Sequence, residues 1–397
     1  MRGCEMPVLG LRFKNPIAAA STDIARSVEQ FEAFAKSGVG AIITKSVTDA
    51  PALQNDNISR IHVTDLEQNP VRGSVPEQYT LFSRGGSMVS MEAFEPKAVE
   101  MLKIAEKYQT IAIGSIAAGR TENWVRFAKR FEELGFPALE LNFGNPHGEA
   151  SADKLGFLIG QSPELSAEIV KAVQGAVKIP VIVKMTPQLS DITGTAKHLE
   201  ACGAKAVTVM HRFQGLMVDP ETDAPVLGGW AAIGGTWMKP LALANIARIY
   251  RGTKLTIFGG NGANTAQDVY EYMCCGASLV EIGSAFMLRG PEYARQVVDT
   301  FVALLEKKGV ERCGGLVGKT AKQIVPYKNL SALPKRKAAY DLQTCAGCPD
   351  KPCVDTCYFR ALRVENGALV HDETKCSGCS LCQTRCGKNA ITMQIFE

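Results

Sequence analysis

PVIVKMTPQLSDITGTAKHLEACGAKAVTVMH, residues 180–211, carries the pattern that decides the fold. Its two ends, PVIVKMT (180–186) and AVTVMH (206–211), are short, apolar on both faces and rich in β-branched residues. Buried parallel strands have that character. Between them, ITGTAKHLEACG has a helical period and stops at a glycine, a common helix end. The order strand, helix, strand is one parallel crossover unit.

The same alternation extends in both directions. PIAAAS (16–21), AIITKS (41–46), TIAIGSI (110–116), ALELNFG (138–144), KLTIFGG (254–260) and LVEIGSAF (279–286) read as further buried strands. SVEQFEAFAKSG, TENWVRFAKRFEELG, SPELSAEIVKAV, KPLALANIARIY and NTAQDVYEYMCCG read as amphipathic helices, and PEYARQVVDTFVALLEKKG closes the series. Eight such units predict an α/β fold, a (β/α)8 barrel over residues 1–309. An open doubly wound sheet is the competing arrangement. Residues 47–96 and 212–236 are too long for simple turns. Both, like the Gly-rich stretch 144–161, follow the C-terminal end of a strand, where barrels build their sites.

The chain has 397 residues, 46% hydrophobic and 21% charged, with a net charge of +4. That is an ordinary globular mixture with no basic stripe for nucleic acid. No apolar run is long enough for a membrane helix, and MRGCEMPVLG lacks the apolar stretch of a secretory signal. A cytoplasmic location is expected. No GxGxxG nicotinamide fingerprint follows a first strand.

Thirteen cysteines are unevenly placed: eight of them fall between Cys345 and Cys386. Residues 310–341 show no clear period and read as a linker; residues 342–397 form a cysteine-dense module. Its two runs are Cys345-x₂-Cys348-x₄-Cys353-x₃-Cys357 and Cys376-x₂-Cys379-x₂-Cys382-x₃-Cys386, an internal repeat. Without a signal peptide, such a cluster points to metal, with paired zinc sites as the bland alternative. The spacing resembles a bacterial two-cluster ferredoxin, an α+β module. That resemblance implies that Cys345, Cys348, Cys353 and Cys386 hold one [4Fe–4S] cluster. Cys376, Cys379, Cys382 and Cys357 would hold the other. The four-residue gap before Cys353, and Tyr358 and Gly387 where proline is usual, depart from that family.

In the barrel, Gly235-Thr236, Gly259-Gly260-Asn261-Gly262 and Gly283-Ser284 occur late and in order. Glycines there let backbone N–H groups close on a phosphate, at the usual site after strands 7 and 8. With GLRFKNPIAAAS, ITKS, ELNFGNPHG, GQSPEL, VKMTP, GLM, GGTWMKPLAL and GASLVEIGSA, the chain resembles the FMN barrel of the dihydroorotate dehydrogenases. The fusion to a ferredoxin module is most similar to dihydropyrimidine dehydrogenase and its bacterial iron–sulfur subunit.

The resemblance implies FMN as cofactor. Ala20 and Ser21 would lie beside the isoalloxazine, and Lys45 and Ser46 would contact it. Lys184 would stabilise negative charge at its N1–C2 edge. Gly235, Thr236, Gly260, Asn261, Gly262, Gly283 and Ser284 would hold the ribityl phosphate. Asn142, Glu92 and Ser90 match or stand near substrate-contacting positions.

Departures bear on the substrate. The family's acid–base cysteine is Asn145 here, a neighbouring serine is Gly144, and His211-Arg212 replaces Asn-Thr. An amide has no usable pKa near neutrality, so His147 or His211 is the candidate proton carrier. Arg212 suits a carboxylate or phenolate. The expected activity is an oxidoreductase passing hydride between FMN and an activated C=C of a small cyclic substrate, with electrons relayed by the clusters. The substrate is a pyrimidine, or another anionic ring or enoate. A non-catalytic electron-transfer subunit is the third reading. Implied partners are an electron-donor protein or an NAD(P)H-oxidising flavoprotein subunit, in a homodimer or hetero-oligomer.

Overall fold

The computed structural model describes residues 3–54, 60–84, 88–150 and 153–396. Parts of the 47–96 connection and of the 144–161 stretch, residues 55–59, 85–87 and 151–152, lie outside the described residues. The chain divides into two compact units, before and after the Gln323–Ile324 bond.

In the first unit the strands are β1 (Ile17–Ala19), β2 (Ala41–Ile43), β3 (Ile111–Ala117), β4 (Leu139–Asn142), β5 (Val181–Lys184), β6 (Ala206–Val209), β7 (Thr256–Gly260) and β8 (Leu279–Ile282). They run parallel in the order β2-β1-β8-β7-β6-β5-β4-β3, and β3 returns to β2 through the pair Ala41 and Ile111. The sheet is therefore a closed barrel, and the open doubly wound alternative is discarded. The helices are α1 (Val28–Lys36), α2 (Met91–Lys107), α3 (Thr121–Leu134), α4 (Pro163–Ala176), α5 (Ile192–Ala201), α6 (Lys239–Gly252), α7 (Ala266–Cys275) and α8 (Ser284–Lys307). Local signals set their ends. Ser27 caps α1, Ser162 precedes Pro163 at the start of α4, Thr265 and Asp268 form a capping box on α7, and Gly135 closes α3 at φ 96°.

Three details differ from the sequence reading. Helix α2 is absent from the helical stretches read there, and it continues through Pro96. The last strand ends at Ile282 instead of running to Phe286, since Gly283 releases the chain into α8, which bends at Gly290 and Pro291. The two long connections are not irregular. Phe213–Gly215, Ala231–Gly235, Thr80–Ser83 and Ile61–Thr64 pair as one antiparallel four-stranded sheet drawn from both.

The linker is shorter than residues 310–341. Cys313, Leu316 and Ala321 are buried in the first unit, and backbone N–H groups of Gly318 and Thr320 bond the carbonyls of Met273 and Cys274. In the second unit Arg336–Tyr340 is a strand paired with Ile391–Ile395. A hairpin joins Leu362–Glu365 to Ala368–His371. Ala338, Cys353, Leu362 and Ile391 form this unit's small core.

Candidate active site

The C-terminal ends of the barrel strands open into a cleft of about 1200 Å³, with the solvent at its mouth included. Residues 20, 21, 45, 46, 142, 145, 147, 184, 211, 212, 235, 260, 261, 262, 283 and 284 all line it, so sixteen of the expected barrel site residues converge. Three do not. Ser90 caps α2, its hydroxyl accepting from the N–H of Ala93, and Glu92 is exposed on the first turn of that helix. Both stand at the start of that helix and do not line the cleft. Thr236 is buried behind the cleft, where its hydroxyl bonds the Tyr79 backbone. Tyr79 in turn reaches Ser284 Oγ at 2.8 Å and Asn264 Oδ1 at 3.0 Å.

At one end the cleft is built from glycine backbone. Gly262 has φ 90°, and a β-carbon there would lie 2.4 Å from the backbone nitrogen of Lys239. A β-carbon on Gly283 would come within 3.3 Å of Thr22 Cγ2 and 3.5 Å of Ala20 Cβ. The start of α8 carries no side-chain cap, so its first N–H groups are available to an anion, whereas at the start of the 3₁₀ turn Thr236–Met238 the N–H of Thr236 already bonds the Tyr79 carbonyl. Small residues, a bare backbone and a buried lysine fit FMN. The glycines and Ser284 would hold the phosphate, and Lys184 would face the electron-rich edge of the ring.

Beneath that end lies a polar floor. Ser21 Oγ donates to the Thr44 carbonyl at 2.7 Å, and Ser46 Oγ meets Ser115 Oγ at 2.8 Å and Asn142 Nδ2 at 3.4 Å. Lys184 is not a lone cation. Its ammonium lies 2.6 Å from Glu281 and 3.3 Å from Glu140, and Thr208 Oγ1 contacts both carboxyls. Lys45 pairs with Asp23 at 3.1 Å, as does Arg60 at 3.6 Å.

The other end is cationic. Arg212 donates to Ser83 Oγ at 2.6 Å, and burial lowers its pKa to about 10. Arg84 also lines the cleft and donates to the Leu227 carbonyl. Burial, with Arg212 and Arg84 nearby, pushes His147 down to about 4. Burial and Arg212 hold His211 well below its usual range, and its Nδ1 accepts from the N–H of Arg212. Both imidazoles are neutral at pH 7. Asn145 is 3% exposed; its Oδ1 accepts from the N–H of His147, while its Nδ2 has no partner among the described residues. A buried amide with an orphaned donor on a cleft wall is poised for a ligand oxygen.

Sequence reading missed Glu140, Thr208, Glu281, Arg60 and Arg84. Only the two glutamates left a signal: a charged residue inside a strand buried on both faces must find a partner.

In the second unit, Cys345, Cys348, Cys353 and Cys386 line one cavity, and Cys357, Cys376, Cys379 and Cys382 line another. All eight are free thiols. Among the described residues no three His, Cys, Asp or Glu side chains converge as ligands of a single metal ion. Thiolates of a cubane are spread around a cluster instead of meeting at a point.

Residues 4–305 match the family Dihydroorotate dehydrogenase. The chain is 29% identical over 311 residues to the Dihydroorotate dehydrogenase B (NAD(+)), catalytic subunit of Methanocaldococcus jannaschii, covering 76% of this chain and 94% of that protein. It is 26% identical over 329 residues to the subunit of the same name from Bacillus mycoides, covering 81% and 98%. A crystal structure of DHODH from Eimeria tenella in complex with ferulenol shares the fold, with a TM-score of 0.63 at 18% identity over 80% of this chain and 88% of that one. The family match ends at residue 305, before the second unit. With the closed barrel and the cleft at its C-terminal mouth, the match over residues 4–305 shows that this chain belongs to the dihydroorotate dehydrogenase family of oxidoreductases, which act on CH–CH bonds.

Proposed function

We propose that this chain interconverts the CH–CH and C=C forms of a small conjugated substrate bearing an anionic group, with FMN in the barrel. In the same reading, two [4Fe–4S] clusters in the C-terminal unit relay electrons, as in the dihydropyrimidine dehydrogenase architecture. The observation that carries the substrate class is the unpartnered Asn145 amide in the same cleft as the buried Arg212, whose guanidinium donates to the Ser83 hydroxyl and whose pKa burial lowers although the Asp23 carboxylate acts to raise it.

FMN, when bound, supplies hydride chemistry at its ring and converts single electrons into pairs. The chain does the rest. Arg212 and Arg84 hold the anionic group, and Asn145 Nδ2 donates to a substrate oxygen that gains charge in the reaction. Asn142 and Ser46 line the floor opposite. His147 is neutral in the free protein because it is buried and because the Arg212 and Arg84 guanidinium groups lie near it. An anion seated between those groups offsets them, raises the imidazole pKa and lets His147 carry the proton. A carboxylate-bearing ring of the dihydroorotate kind meets this description; a neutral pyrimidine meets it less well.

The grouping of the cysteines, four around each of two cavities, supports the relay. Thirteen free thiols favour a reducing, cytoplasmic setting. The relatives are named as catalytic subunits, which supports a separate electron-transfer subunit here. A homodimer is the alternative assembly.

The test is a spectral titration of the reduced, oxygen-free protein with a panel of neutral pyrimidines, cyclic carboxylates and enoates. Oxidation of the flavin by anionic members alone is expected. Reoxidation by uracil as fast as by any carboxylate would overturn the substrate class. Flavin that stays reduced against the whole panel would favour an electron-transfer subunit.

A further inference from the structure

The floor of the barrel holds more acid than its lysine can balance. Glu140 on β4, Lys184 on β5, Thr208 on β6 and Glu281 on β8 meet at the barrel axis, with both carboxyl groups about 1% exposed. Two carboxylates and one ammonium leave a net negative charge in a site nearly closed to water, an arrangement that neutralises by binding a proton. Hydrogen bonding points the same way. Thr208 Oγ1 lies 3.1 Å from Glu140 Oε2 and 2.8 Å from Glu281 Oε1. A hydroxyl has one hydrogen and an ionised carboxylate only accepts, so one of these contacts needs a proton on a carboxyl group.

Among the described residues, the barrel strands offer no other acid or base to take that role. The remaining barrel strands, IAA (17–19), AII (41–43), IAIGSIA (111–117) and TIFGG (256–260), contain no titratable residue. His211, past the end of β6, is kept neutral by burial and by the charges of Arg212 and Lys184. Glu281 and Lys184 line the cleft itself, whereas Glu140 stands behind them.

We propose that Glu140 and Glu281 share one exchangeable proton across Thr208, and that this pair takes up a proton from solvent when the flavin above Lys184 becomes negatively charged. The balance is simple. Two electrons and one proton bring the ring to its singly negative reduced form. A second proton converts one carboxylate of the pair to a carboxylic acid, and the Lys184 ammonium is left to oppose the ring. No bond other than these O–H and N–H bonds forms or breaks. The inference rests on family membership and the barrel floor, and is independent of the substrate class.

Burial and the neighbouring Glu281 raise Glu140 to about 8, which sets the range to examine. Below about pH 8 the pair already holds its proton, and reduction takes one proton per two electrons. Above it the pair starts empty, and reduction takes two. The experiment is an equilibrium reductive titration of the holoprotein, followed by flavin absorbance against a redox dye, across this range without substrate. Wild type should show the break from one to two protons. E281Q, with flavin content verified, should take one proton per two electrons throughout. Infrared difference spectra should show a carboxylic-acid carbonyl band gained on reduction above the break and lost in E281Q. Should E281Q fold poorly, T208V removes the bridge and should shift or erase the break. An unbroken one-proton dependence in wild type, or the same break in wild type and E281Q, would overturn the proposal.

Discussion

A β-carbon on Gly144 would lie 2.4 Å from Cβ of His211 and 3.0 Å from the Met185 carbonyl oxygen. The second residue after β4 and the second residue after β6 therefore share one space: with His211 in place, only glycine fits at 144. Two departures from the pyrimidine motif, far apart in the sequence, are one packing unit. Gly144→Ser is expected to destabilise the protein by about 1–3 kcal/mol through overpacking. His211→Gly in the same chain should return part of that loss. A double-mutant cycle of thermal unfolding checks this, and additive effects would count against it.

Arg212→Ala should weaken an anionic ligand about ten- to a hundredfold, the value of one charge-assisted hydrogen bond. FMN content should be unchanged. Ligand titrations of the flavin spectrum read both quantities, and equal loss of flavin would place Arg212 on the cofactor instead.

Asn145→Cys restores the family's acid–base side chain. General acid–base catalysis contributes typically about 10²–10⁴-fold, so a competent pyrimidine pocket would reveal it at once. Uracil turnover is expected to stay at the parent level, because His211 and Arg212 still shape the pocket for an anion. Asn145→Ala should weaken carboxylate or enone ligands by removing the orphaned donor.

Acid stability should report His147. Its folded pKa of about 4 lies below the ordinary 6.5. Between those values the unfolded chain binds a proton that the folded imidazole refuses, so stability is full above about pH 6.5 and falls as the pH drops toward 4. The full window corresponds to about 3 kcal/mol. His147→Gln should flatten that part of a denaturant-unfolding profile measured across pH 4 to 7. An unchanged slope would mean that the imidazole titrates normally.

Anaerobically purified protein should carry roughly eight irons per chain. Cys379→Ala removes one thiolate from the second set. It should slow flavin reduction by a one-electron donor while leaving exchange between reduced flavin and substrate intact. Unchanged reduction in a folded, flavin-loaded variant would take the clusters off the path, and zinc in place of iron would remove them altogether.

The barrel was legible in the sequence because its signal is local. Runs such as PVIVKMT and AVTVMH are apolar on both faces, and a strand buried between helices has no other composition available to it. The two cysteine runs were legible because their spacing is local, and the cavities group the eight thiols into the two sets that the ferredoxin resemblance implied. Ser90 and Glu92 fall outside the cleft lining because a motif position does not say where a side chain points; both stand at the start of α2. The cationic wall, the orphaned amide of Asn145 and the carboxyl pair on Thr208 were decided only by the tertiary structure. Glu140 and Glu281 are 141 positions apart (281 − 140) and meet only because the strands close into a ring. Chain pattern follows from nearest-neighbour geometry, whereas the protonation and charge of a site depend on which distant groups the closed barrel forces out of water together.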